Sequence, residues 1–184
     1  MLRTTILVLT VMLVHVWSIF AQKATRGTSP TTVAYVDIQR YSGLWYEIAK
    51  IPNSFQDQCA YGTTAEYIIN EDGDITVINR CYEKDGNLDI ADGVARIVDK
   101  KTNAKLEVSF VSFLGIRPFW GDYWIIGLDE DYTYAVVGHP ERKYGWILSR
   151  TSALTNETLQ EIFDLLKQQG YDPRSFDLTV HNEQ

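Results

Sequence analysis

From residue 45 onward, short apolar runs alternate with polar partners and are separated by turn residues, the pattern of β-strands. Residues 45–51 form the first predicted strand, ended by Pro52. Residues 63–69 alternate Thr, Ala, Tyr and Ile with polar neighbours and run into Asn70-Glu71-Asp72-Gly73-Asp74. Residues 75–81 follow, and the Asp-Gly in the connection marks the two segments as a β-hairpin. Asp85-Gly86-Asn87 turns the chain before 90–98, and a polar turn at 100–104 precedes 106–113. Segments 123–128, 132–137 and 144–149 complete a set of about eight, a count that follows from strand and turn signals.

One segment has the other period. Leu159, Ile162, Phe163 and Leu166 share a helical face, with Thr155 at the N-cap position and Gly170 at the end. That apolar stripe must dock on the outside of the sheet. Regularly spaced antiparallel strands with a single late helix predict an all-β domain, a sandwich or an up-and-down barrel.

The N-terminus changes what counts as fold. Arg3 precedes an apolar run that ends at Phe20, and Ala21 supplies a small residue before Gln22. This is the arrangement of a cleaved secretory signal, residues 1–21. The alternative is an uncleaved membrane anchor, for which the run is at the short edge. Residues 22–36, rich in Thr, Ser, Gly and Pro at their start, read as a flexible leader, and the domain proper spans 37–184. Removing Arg3 with the signal leaves 16 basic against 24 acidic residues, a formal balance of −8. Such a surface repels phosphate backbones, which argues against a nucleic-acid partner. Aromatic residues make up 12% of the chain, with 11 Tyr and 5 Trp, enough to line an interior.

Cys59 and Cys81 are the only cysteines. In an oxidising compartment a lone pair of thiols forms a disulfide. A metal site needs more ligands than His139 and His181 supply at their scattered positions, so no metal or cofactor is expected.

Three stretches make the reading specific: Tyr41-Ser42-Gly43-Leu44-Trp45-Tyr46-Glu47-Ile48-Ala49; Gly121-Asp122-Tyr123-Trp124 through Asp129-Glu130-Asp131-Tyr132 to Tyr134-Ala135-Val136-Val137; and Trp146-Ile147-Leu148-Ser149-Arg150. In order and spacing they resemble the three characteristic stretches of the lipocalin family, nearest to its apolipoprotein D-like, bacterial outer-membrane and plant temperature-induced branches. The resemblance covers residues 37–177. It implies an eight-stranded antiparallel up-and-down barrel with one C-terminal α-helix packed outside. In lipocalins the Trp matching Trp45 plugs the narrow end and the Arg matching Arg150 crosses its ring, a contact worth about 0.5–2 kcal/mol. Gly43, Trp45 and Arg150 are therefore structural. The apolipoprotein D-like branch pairs a cysteine with one near the C-terminus, which this chain lacks, so its bridge must be the local one, Cys59 to Cys81.

An eight-stranded barrel has room for side chains or for one small ligand. Strand parity anchored at Trp45 points Glu47 and Ala49 inward. Matching to the family adds Ala65, Tyr67, Ile69, Val77, Asn79, Ala91, Gly93, Ala95, Val108 and Phe110. Tyr123, Ala135, Val137, Tyr144, Trp146 and Leu148 complete the ring. Small residues opposite large aromatic ones leave a void rather than a packed core, given that interiors pack tightly. Tyr67 and Trp146 match pocket aromatics of the family and are the leading ligand contacts, followed by Tyr123, Tyr144, Phe110, Val108, Ala65, Val77 and Val137. Asn79 and Glu47 are the polar groups available to fix orientation. A buried Glu47 without a cationic partner holds its proton more tightly and can donate to a ligand, or it can bond a neighbouring Tyr.

The apolar loop 113–120, from Phe113 to Trp120, either gates the barrel mouth, touches a membrane surface or folds back as a lid. Asn156-Glu157-Thr158 is a glycosylation sequon at Asn156, relevant in a eukaryotic host. Function follows as binding and transport of a small hydrophobic ligand (a fatty acid, lysophospholipid, sterol or similar), secreted or periplasmic and without catalysis. Two alternatives stand beside it. A protein-interaction module would show an exposed apolar patch away from the mouth. A lipid-modifying enzyme would need a free thiol at Cys81 or paired carboxylates.

Overall fold

The computed structural model describes residues 28–181. The stretch read as an export signal, 1–21, and residues 22–27 of the leader lie outside them. A short helix, α1 (Ile38–Tyr41), leads into eight strands: β1 (Gly43–Lys50), β2 (Tyr61–Ile69), β3 (Ile75–Tyr82), β4 (Leu88–Ile97), β5 (Lys105–Ser109), β6 (Gly121–Leu128), β7 (Tyr134–Gly138) and β8 (Gly145–Ser149). Each pairs antiparallel with the next, and β1 also pairs with β8 and with β2. The sheet thus closes on itself and leaves no open edge among these strands. After the helix α2 (Asn156–Gln168) and a 3-10 turn (Pro173–Ser175), the two-residue strand β9 (Asp177–Leu178) lies against the end of β1.

The alternation sorts apolar side chains into two clusters. One, inside the barrel at its narrow end, joins Trp45, Tyr67, Ile75, Val77, Leu106 and Tyr123 with their neighbours. The other lies between the outer face of the sheet and α2, where Ile162 and Leu166 meet Ile126, Val136 and Ile147. Thr155 caps α2 by accepting from the Thr158 N–H at 3.2 Å.

Three details differ from the sequence expectation. The register slips between Glu47 and Ala49, inserting Ile48 as an extra residue. Such a bulge reverses parity beyond it, so Glu47 keeps its inward side but Ala49 joins the cluster under α2. The strand expected at 106–113 stops at Ser109. The part of the leader that is described is tied to the barrel: Val33 N–H donates to Ile125 O at 3.0 Å, Val36 N–H to Thr102 O at 2.7 Å, and the Val36 side chain is fully buried. Its valines supply that anchorage, outweighing the flexible composition further upstream.

Candidate functional site

The narrow end is sealed first. Trp45 is fully buried, and its indole N–H donates to Tyr41 O at 2.7 Å. The Arg150 guanidinium lies 3.7 Å from the Trp45 ring centroid. It donates to the carbonyls of Leu44 (2.7 Å), Arg40 (2.7 Å), Ser42 (3.0 Å) and Tyr41 (3.1 Å). One side chain thereby gathers the carbonyls of α1 and of the first turn of β1. Gly43 allows that approach: its φ is +90°, a conformation strained for any L side chain.

Above this plug lie three phenols. The Tyr123 hydroxyl is 2.7 Å from that of Tyr41 and 2.8 Å from that of Tyr67. Burial raises the pKa of all three, that of Tyr67 to about 12, so they remain protonated at any physiological pH.

Beyond the phenols the barrel opens into a cavity of about 450 Å³. Val77, Val108 and Leu148 supply its aliphatic wall, and Ala65 and Ala91 withhold side-chain bulk at mid-height. Tyr67 and Tyr123 form its floor. Asn79 and Thr63 also face it; no side-chain hydrogen bond joins the Asn79 amide to another described residue, and the buried Thr63 Oγ1 has no partner among them. Two inward positions behave differently from the sequence expectation. A Cβ on Gly93 would stand 2.6 Å from the Phe110 ring, so Phe110 fills the space Gly93 leaves, and the ring lines the upper wall while remaining partly exposed. Val137 does not line the cavity: it is wholly buried with Ile125 and Ala135 in the packed inner cluster.

The mouth carries polar chemistry. Glu47 is 3% exposed and has the cationic partner its sequence context did not reveal: Lys50 Nζ donates to Oε1 at 3.0 Å. Thr179 Oγ1 also donates to Oε1, at 2.6 Å, and Gln56 Nε2 to Oε2, at 2.9 Å. Glu47 is therefore neither an acid directed at a ligand nor a partner of a tyrosine. Gln56 latches the β1–β2 loop, because its Oε1 accepts from Trp146 Nε1 and from Asn53 Nδ2, each at 3.0 Å. Phe55 from the same loop packs on Tyr144 and Trp146 with centroids 5.4 and 6.2 Å apart. The Cys59–Cys81 disulfide, with Cα atoms 5.4 Å apart, pins the end of this loop to β3. That bridge consumes both thiols of the chain, so Cys81 is not a free nucleophile. Among the described residues, Cys59, Cys81 and Asp89 are the one group placed as metal ligands are, and both sulfurs are in the disulfide.

Sequence reasoning missed Phe55, Gln56, Gln58, Asp89 and His139 at the rim. An aromatic residue in an otherwise polar loop, Phe55 before Cys59, was the one available signal. The loop 113–120 rises beside the mouth. Phe113 and Ile116 pair around Leu114 and Gly115, which both have positive φ, as a tight hairpin tip requires. Phe113, Leu114, Ile116 and Phe119 are 69, 86, 68 and 69% exposed. Its base is held by the Arg96 guanidinium, 4.0 Å from the Trp120 centroid, and by Arg117 Nη1 donating to Ser109 O at 2.9 Å.

Comparison with known proteins agrees with this geometry. A family model described as a lipocalin-like domain matches residues 36–181. Temperature-induced lipocalin-1 of Arabidopsis thaliana is 41% identical over 140 residues, covering 74% of this chain and 75% of that protein. Outer membrane lipoprotein Blc of Escherichia coli (strain K12) is 38% identical over 147 residues, 79% of this chain and 80% of its own length. Apolipoprotein D of Macaca fascicularis is 32% identical over 159 residues, 83% and 80% respectively. Among solved structures, insecticyanin from the tobacco hornworm Manduca sexta superposes with a TM-score of 0.68 at 24% identity, over 85% of this chain and 86% of that one, a likeness of fold. With the closed barrel, its outer helix and these matches over most of the chain, the protein belongs to the lipocalin family.

Proposed function

We propose that this lipocalin is an exported carrier that holds one small, largely apolar molecule in its barrel. A single observation carries the reading: about 450 Å³ of space walled by aliphatic and aromatic side chains, within the size range of ligand sites. A ligand burying on the order of 300 Å² of apolar surface gains roughly 7 kcal/mol before the costs of association. Tyr67, Tyr123, Val77, Val108, Ala65 and Leu148 contact its inserted end, and Trp146, Tyr144 and Phe110 the part nearest the mouth. Asn79 offers its amide to a polar substituent. Export is supported by the disulfide, which persists in oxidising compartments, and Asn156 is exposed at the start of α2 for a host that glycosylates.

The apolar tip at 113–116 supports a further element, transient contact with a lipid surface during loading. Leu114 is at once the most exposed of these side chains and held at a φ of +50°, a strained state for a leucine that packing does not require. Native mass spectrometry of protein purified from its own source, followed by lipid extraction, tests the carrier reading. A bound small molecule displaced by organic solvent is expected. A protein without one that also fails to take up any fluorescent lipophile in vitro overturns it. In the same assay Trp146→Ala lowers affinity by about ten-fold, the loss of one well-buried aromatic contact.

A further inference from the structure

The floor of the cavity has one proton more than it can bond. Each phenol of Tyr41, Tyr123 and Tyr67 carries a single O–H, and the contacts at 2.7 and 2.8 Å use two of the three whichever way they run. No carbonyl, carboxylate or amide among the described residues accepts from these hydroxyls. One donor is therefore left without an acceptor in every arrangement, and a buried donor left so is costly. Behind the phenols lies a void of about 10 Å³, at the lower limit for one water, and it presents only apolar wall. The remaining side is the main cavity, which Tyr67 and Tyr123 both front.

The rest of the lining restricts charge. Its single arginine, Arg80, is paired with Glu66 at 2.9 Å, and no lysine takes part. The His139 ring accepts from the Glu141 N–H at Nδ1, and its Nε2 faces Asp122 at 3.9 Å. Glu47 is saturated by Lys50, Gln56 and Thr179, and Asp89 accepts from Gln58 at 2.8 Å. An anionic ligand would find no free cation at either end among the described residues and would exchange its hydration for a few neutral donors, a phenol at the floor and the Asn79 amide and Thr63 hydroxyl on the wall.

We propose that the cargo is an uncharged lipophile bearing a hydrogen-bond acceptor (a ketone, aldehyde, ester or ether oxygen), and that this oxygen enters first and takes the spare proton of the Tyr41–Tyr123–Tyr67 chain. The inference rests on the carrier reading and deepens it by naming a chemical class and an orientation. The elevated phenol pKa values agree, since the donors keep their protons across the physiological range.

The test displaces the neutral fluorophore N-phenyl-naphthylamine with three probes of matched length: methyl undecyl ketone, tridecane and dodecanoate. Wild type is compared with Tyr41→Phe/Tyr67→Phe/Tyr123→Phe, which removes all three hydroxyls together and so orphans none. The ratio of ketone to alkane affinity falls about ten-fold in the variant, the worth of one buried hydrogen bond, and dodecanoate binds wild type more weakly than the ketone. Infrared spectra of the ketone with an isotope-labelled carbonyl show its stretch at lower frequency on wild type than in hexane, a reading that stands even if the variant does not fold. An unshifted band, an unchanged ratio or preference for dodecanoate overturns the floor assignment and leaves the carrier intact. Failure of wild type to bind the fluorophore and every probe overturns both.

Discussion

Arg150→Met removes the guanidinium that closes the narrow end while keeping most of the aliphatic stem. The loss has two parts. The cation over Trp45, 3.7 Å from the ring centroid, contributes about 1 kcal/mol at a half-buried site. The four carbonyls that accept from the two terminal nitrogens at 2.7–3.1 Å lose charge-assisted bonds. Water reaches part of this set once the side chain is gone, so the loss is well below four full bonds, roughly 2–3 kcal/mol in all. The total is about 3–4 kcal/mol, which for a domain of this size lowers Tm by about 10 °C. Arg150→Lys retains a charge, but a point donor replaces a fork, and about half of the loss remains. Thermal unfolding followed by circular dichroism, with urea midpoints at constant m, measures both variants. Fluorophore affinity stays within about two-fold of wild type at 25 °C, because the plug lies below the phenol floor. A Tm within about 3 °C of wild type for Arg150→Met refutes the structural account of this residue. A normal Tm with lost binding would make the narrow end part of the ligand site.

Other expectations test separate parts of the molecule. Cys59→Ser/Cys81→Ser opens a loop with a sequence separation of 22, for which chain entropy gives about 3 kcal/mol; a urea midpoint unchanged from wild type contradicts it. Alkaline pH acts through the buried phenols. Their folded pKa values lie above the ordinary value of 10, that of Tyr67 at about 12, so the stabilisation is whole below pH 10 and is lost as pH rises towards 12. Three such protons give a slope of up to about 4 kcal/mol per pH unit above pH 10, and urea unfolding that is flat from pH 9.5 to 11 would rule this out. Leu114→Glu/Ile116→Glu reduces co-sedimentation with neutral phosphatidylcholine vesicles several-fold without a fall in Tm, since both side chains stand in solvent; undiminished sedimentation removes the membrane role from the loop.

Much of the architecture is legible in the chain because its signals are local. The Asp72-Gly73 hairpin, the Thr155 cap with its apolar stripe and the lone cysteine pair each need only neighbouring residues or a count. Trp45 with Arg150 is legible through family resemblance, since nothing in spacing alone brings residues 105 positions apart together. What escapes is decided by register and by long-range contact. A single inserted residue at Ile48 carries Ala49 from the interior to the helix side, and alternation cannot register it because Glu47, Ile48 and Ala49 are all buried. Val137 has the correct parity, but its side chain is wholly buried against Ile125 and Ala135, a packing that alternation alone does not reveal. Gln56 looks like any loop glutamine until folding places Trp146, Asn53 and Glu47 around its amide.

The cavity is a consequence of where bulk is placed along the barrel axis. Trp45, Tyr41, Tyr67 and Tyr123 crowd the narrow end, and their rings meet with centroids 5.0–6.0 Å apart, so that end is solid. At mid-height Ala65 and Ala91 stand opposite valines and leucine, too little volume for a barrel of this width to fill. At the mouth Phe55, Tyr144, Trp146 and Phe110 restore bulk as a collar, held by the Gln56 latch and the disulfide. Large rings at both ends with small side chains between them make a hollow that is shielded from water but still reachable. Polar groups without a partner among the described residues, the Asn79 amide, the buried Thr63 hydroxyl and the spare phenolic proton, then fall at the wall and at the floor of that hollow, where they can act on a guest.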